Sequence, residues 1–125
     1  MPQASPELVV IAKLYDLVLW SCHHIEKFPR SHRFTLGDRL EVRLYVVLEL
    51  LLKAKYTRSR LVLLEQANLE IELLRFQFRL AKDLHCLPID SYGHAARSVD
   101  EVGRLVGGWR RQSAAPRHAG PPEAR

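Results

Sequence analysis

From Leu8 to Trp109 apolar side chains return at every third or fourth position, and only short interruptions break the pattern. That spacing keeps residues on one side of a helix with 3.6 residues per turn, whereas a half-buried strand needs alternation with a period of two. No strand-length alternation competes with the helical period, and no internal repeat is visible. The chain is expected to be all-α.

The interruptions divide it into four helices. Ser5-Pro6-Glu7 supplies a capping hydroxyl, a proline at the first helical position and an acid facing the positive end of the helix dipole. Leu8, Ile11, Tyr15, Val18, Cys22 and Ile25 then form the expected buried stripe, which Phe28-Pro29-Arg30 ends, because proline drives its predecessor out of the helical region. Thr35-Leu36-Gly37-Asp38 reads as a second start, hydroxyl and acid at capping-box spacing. Leu36, Leu40, Leu44, Val47, Leu51 and Ala54 make its stripe, and Val42, Val46 and Leu50 make another. One neighbour cannot cover two apolar faces, so the second is assigned to an interface between subunits or to a central place in the bundle.

Lys55 to Ser59 contains no glycine or proline, so either Thr57 caps a new helix or one long helix runs through. A break is favoured, since an uncapped periodic run beyond about 25 residues is unusual in a small domain. The third helix carries Leu61, Leu64, Ala67, Ile71, Leu74, Phe78 and Ala81 and must stop before Pro88. The fourth opens at Asp90-Ser91, or else at Ser98, and carries Ala95, Val99, Val102, Val106 and Trp109. Short connections then imply an antiparallel up-down-up-down four-helix bundle over residues 1–111. Residues 112–125, rich in Pro, Ala, Gly and Arg, lack the apolar surface to order themselves and are expected to form a disordered basic tail.

Composition excludes several classes. Uninterrupted apolar runs such as Leu17 to Trp20 and Leu44 to Leu48 are too short to cross a bilayer, so no membrane role is expected. Two cysteines make no disulfide scaffold, and a cytoplasmic protein with free thiols is expected. No phosphate-binding glycine loop, Gly-x-Ser-x-Gly elbow, His-Glu-x-x-His or paired Glu-x-x-His is present, so neither catalysis nor a cofactor is expected. Cys22, His23, His24, His32, His85 and Cys86 would gather at one end of an antiparallel bundle as possible zinc ligands. No pair among them has a recognised spacing, so they read as core thiol and solvated imidazoles, with no metal.

The net charge of +5 turns attention to polyanions. Arg75, Arg79 and Lys82 recur at helical spacing on the third helix, the register needed for phosphate contacts along a rigid element. Lys53, Arg58 and Arg60 surround the turn before it, Arg30 and Arg33 occupy the first loop, and Arg104, Arg110 and Arg111 lie toward the end of the fourth helix. These are the candidate nucleic-acid contacts; salt bridges to Glu65, Glu70, Glu72 or Asp83 are the competing use of the same cations. Gly103 and Gly107 are spaced to let a neighbouring helix come close.

Several segments in succession carry a likeness: Phe28-Pro29-Arg30, Leu36-Gly37-Asp38-Arg39, Leu50 to Ala54, Leu74-Arg75-Phe76 with Arg79-Leu80-Ala81, and Val102 to Trp109. Their order and spacing resemble the bacterial four-helix-bundle family that includes proteins encoded in ribosomal-RNA intervening sequences. The arginine-rich third helix and Glu101-Val102-Gly103-Arg104 are most similar to its Avd branch, the accessory variability determinants of diversity-generating retroelements. The resemblance implies a homopentameric barrel that binds the retroelement reverse transcriptase and RNA or DNA, and that supports mutagenic copying without chemistry of its own. It places Arg75 and Arg79 on the family's arginines, with Lys82 beside them. Within the same family, a four-helix oligomer serving only protein interaction is the alternative.

Overall fold

The computed structural model describes residues 5–114, and all of the regular structure in them is helical. Four long helices, α1 (Pro6–Ile25), α3 (Asp38–Lys55), α4 (Leu61–Asp83) and α5 (Ile89–Ala114), are joined by short connections. A one-turn helix, α2 (Arg30–His32), precedes α3. The expected second, third and fourth helices are α3, α4 and α5. Helix α1 packs on α3 and α5, and α4 packs on the same two, so α1 and α4 stand at diagonal corners. The ends of α1 and α4 share what we call the upper pole; the α3–α4 turn and the end of α5 share the lower pole. Helix α5 runs three residues past the boundary read at 111, and the rest of the expected tail lies outside the described residues.

Three inner stripes match the sequence reading. Leu40, Leu44, Val47, Leu51 and Ala54 of α3 are buried, as are Leu64, Ala67, Ile71, Leu74, Phe78 and Ala81 of α4, and Ala95, Val99, Val102, Val106 and Trp109 of α5. Helix α1 matches only in part: of its expected stripe Val18 and Ile25 are buried, and Ile11 and Cys22 pack partly on the core. It buries Val10, Leu14, Leu17, Val18, Ser21 and Ile25, while Leu8 and Tyr15 (56% exposed) face out. Most of α1 is apolar around its whole circumference, so spacing alone cannot choose which stripe turns inward. By length and composition α1, at 20 residues with mean hydropathy 1.4, could also cross a membrane, a property its short uninterrupted runs conceal.

Caps explain the element ends. Ser5 Oγ accepts from the Leu8 amide at 3.3 Å, as its position ahead of Pro6 suggests. The second start departs from expectation. Pro29 receives the amides of His32 and Arg33 on its carbonyl, both at 2.9 Å, and the helix begins there. It passes through a π-helical turn, Arg33–Gly37, directly into α3. Thr35 Oγ1 donates to the His32 carbonyl instead of capping. Gly37 is buried where this turn meets α1, and a Cβ there would lie 3.0 Å from Ile25 Cγ2. The α3–α4 break forms as favoured, but without a Thr57 cap: Arg60 is the N-cap and its Nε donates to the Thr57 carbonyl at 3.1 Å. Helix α5 starts immediately after Pro88, so the earlier of the two sequence candidates is the right one.

Helix α4 closes in a Schellman motif. The Cys86 amide bonds the Ala81 carbonyl at 2.7 Å and the His85 amide bonds that of Lys82 at 3.0 Å. This requires the left-handed conformation at His85 (φ 62°), where a Cβ is unfavourable and glycine is the usual residue. His85→Gly is therefore expected to stabilise the protein by up to about 1 kcal/mol, the relief of strain exceeding the extra chain entropy of glycine. Thermal and urea unfolding check this, and a destabilised variant would mean that the imidazole makes a compensating contact.

Candidate nucleic-acid interface

The three cations of α4 lie on one side of the helix, and all of them have acidic partners. Arg75, one-third exposed, bonds Glu72 through Nε at 3.0 Å and pairs through Nη1 with Asp100 of α5. Its guanidinium crosses α5 directly over Gly103, where a Cβ would come within 2.8 Å of Nη2. Gly103 therefore admits an arginine from α4, not a neighbouring helix backbone. Arg79 and Lys82 share Asp83, at 4.0 and 3.4 Å, and Lys82 Nζ also sits 4.9 Å above the Tyr92 ring. These pairs are part-exposed, so each is worth only about 0–1 kcal/mol and leaves the cations available to a competing anion.

The remaining candidates form no salt bridge among the described residues. Arg30 is exposed at the upper pole. Nearby Arg33 donates through Nη2 to the Phe28 carbonyl at 3.5 Å and lies 5.7 Å over the Phe34 ring. At the lower pole Lys53 and Arg58 are exposed, and Arg60 sits 5.8 Å over the Trp109 ring, linking the start of α4 to the end of α5. Arg110 is half-buried with its Nε lacking a partner, and Arg104 and Arg111 are exposed. Arg97, also exposed and without an ion pair among the described residues, was missed by sequence reading; its signal is the seven-residue interval to Arg104 and again to Arg111.

Apolar side chains occupy other faces. Helix α4 exposes Val62, Leu69, Leu73, Phe76 (65%) and Leu80, a second register of threes and fours that the sequence reading passed over. Helix α1 exposes Leu8, Tyr15 and Leu19. On α3, Val42 is 58% exposed, whereas Val46 and Leu50 are half-buried and Leu50 packs on the core. Val42 and Val46 line a groove of about 370 Å³ over the Arg43–Glu70 ion pair, and Arg43 Nε also donates to Gln77 at 3.0 Å. On α5 the only exposed large hydrophobic is its first residue, Ile89.

The histidines and cysteines disperse into separate contacts. His24 Nδ1 donates to the Trp20 carbonyl at 2.9 Å and its ring stacks on Trp20, which His94 approaches from α5. Cys22 Sγ lies 3.7 Å from Tyr45 Oη. Tyr45 donates its proton to Glu41, and that bond raises the phenol above its ordinary pKa. Cys86 is buried, which raises its thiol pKa. Among the described residues no three His, Cys, Asp or Glu side chains converge as metal ligands.

Cations at both poles and along α4 and α5, with exposed apolar faces on α1, α3 and α4, mark the surface of this four-helix bundle. The chain belongs to the bAvd-like family, which it matches over residues 8–113, as its motifs implied. That family is an accessory, non-catalytic kind of protein associated with diversity-generating retroelements. No curated protein matches the chain.

The placement of Arg75 over Gly103 makes a stability prediction. Gly103→Ala should displace the guanidinium and break its pair with Asp100, yet change stability by no more than about 1 kcal/mol, because alanine's helix propensity offsets a part-exposed ion pair. Chemical denaturation checks this; a much larger loss would make the Arg75 clasp a structural necessity.

Proposed function

We propose that the protein is the accessory subunit of a diversity-generating retroelement, acting in the cytoplasm. It binds the retroelement reverse transcriptase together with template RNA or its DNA copy, and supports mutagenic copying while the polymerase performs the chemistry. The family match over nearly the whole described chain carries this reading. Arginines and lysines at both poles and along α5 that form no salt bridge among the described residues support it, since phosphate contacts supply most sequence-independent affinity for nucleic acids.

The working form in this proposal is a ring of identical subunits, a homopentamer. Its support is the position of the apolar faces: those of α1 and α4 are different surfaces at diagonal corners, so a two-fold dimer would leave one of them in water. Contact between unlike faces propagates, and closes into a ring when the rotation allows. The groove beside Val42 and Val46 adjoins α4 and would be covered at the same contact. Repetition then multiplies modest phosphate contacts by avidity. The second reading, a protein-interaction oligomer with no nucleic-acid role, is favoured by one observation: the cations of α4 already have acidic partners.

Light scattering and native mass measurement should find a pentamer of 14.4 kDa chains. Leu69→Glu and Phe76→Glu should dissociate it without loss of helicity; pentamers in both variants would move the interface off α4. Purified protein should bind RNA and DNA with affinity that falls steeply with salt, and should capture the reverse transcriptase. Capture of the polymerase without salt-dependent nucleic-acid binding would favour the second reading.

A further inference from the structure

Arg97, Arg104 and Arg111 are each seven residues apart on α5. Seven residues are two turns less about 20°, so the three share one face and span about 21 Å, the length of about six nucleotides at the spacing of a duplex strand and of fewer in an extended single strand. All three are exposed, and none has an acidic partner among the described residues.

That lack of partners is arranged by the neighbouring helices. Two acids, Asp100 and Glu101, lie three or four residues from both Arg97 and Arg104, the separations at which helical ion pairs form. Each acid is instead held from the side: Asp100 by Arg75 of α4, and Glu101 by Lys13 of α1 at 3.1 Å. The acids on the two flanks of α5 are neutralised by neighbours and the arginines between are left uncompensated. Two glycines set the arginines in place. Arg97 Nη1 passes 3.2 Å from where a Cβ of Gly93 would lie, and Arg111 Nη1 passes 3.4 Å from that of Gly107, so both guanidiniums lie back along the helix over the glycine four residues before. Because α5 has almost no exposed apolar surface, an assembly built on the faces of α1 and α4 leaves this row in solvent.

We propose that Arg97, Arg104 and Arg111 form one phosphate-binding row that tracks the sugar-phosphate backbone of a nucleic-acid strand, independent of its sequence. Arg75 and Lys13 are positioning residues that keep Asp100 and Glu101 from quenching it. The inference rests on the nucleic-acid reading given under Proposed function and moves the main contact from α4 to α5.

The test is anisotropy titration of the full chain with a short unstructured RNA and the DNA of the same sequence, over a range of salt. The triple variant R97Q/R104Q/R111Q should lower the salt slope by about 0.7 unit per lost contact on single strands, and low-salt affinity by at least about tenfold, with helicity and oligomer mass unchanged. R75Q should free Asp100 to pair with Arg104, weakening binding by about one contact. That effect should vanish in an R104Q background, and D100N added to R75Q should restore the wild-type slope. Unchanged binding by the triple variant would overturn the row, as would additive losses from R75Q and R104Q, which would make Arg75 a direct contact. A triple variant that keeps RNA and DNA binding but no longer captures the polymerase would also overturn it, making α5 a protein-docking edge. Absence of salt-dependent binding by the wild type would defeat the underlying nucleic-acid reading as well.

Discussion

The seat of α5 between α1 and α4 governs how this surface is organised. Of the four long helices, α5 comes nearest to a single apolar stripe, and its Ala95, Val99, Val102, Val106 and Trp109 are buried. Side chains reach it from its neighbours: Arg75 of α4 crosses over Gly103, and Arg60 reaches Trp109 at the lower pole. Because the flanks of α5 lie this close to α1 and α4, Lys13 and Arg75 can reach Glu101 and Asp100. The same burial that orders the core therefore decides which surface charges are cancelled. Those ion pairs add little to stability at their exposure, and their larger effect is on the charge of the outer face.

The other helices solve a different problem. Helices α1, α3 and α4 each have a buried stripe and an exposed apolar face, more than a monomer of this size needs. Exposed apolar residues scattered singly would call for no explanation, but Leu69, Leu73, Phe76 and Leu80 follow one another along a single helix. These faces lie on α1, α3 and α4, whereas α5 exposes Arg97, Arg104 and Arg111 and, of large apolar residues, only Ile89.

Local backbone chemistry marks where the chain turns, and here the structure is more particular than the sequence suggests. A hydroxyl and an acid at capping-box spacing, Thr35 and Asp38, lie inside a helix already begun at Pro29, which runs through a π-helical turn whose Gly37 packs closely on Ile25. His85 takes a conformation usually left to glycine because the Schellman bonds at the end of α4 demand it. Neither feature can be read from residue types alone, since both depend on what the preceding turns require.

Sequence by itself determined the helical class, three of the four buried stripes, the first cap, the break near Thr57 and the family likeness. Each follows from local spacing or from one residue's own conformational preference. The phase of α1 needed tertiary structure, because a helix apolar all round can turn any side inward until neighbours choose. So did the use of the charges: Arg75, Arg97 and Arg104 are equivalent as cations in the sequence, and only the approach of α4 and α1 decides that Arg75 meets Asp100 while the other two stay unpaired. Ion pairing between helices depends on distances of a few ångströms across segments some 25 residues apart, as from Arg75 to Asp100. No periodicity along one helix contains that information.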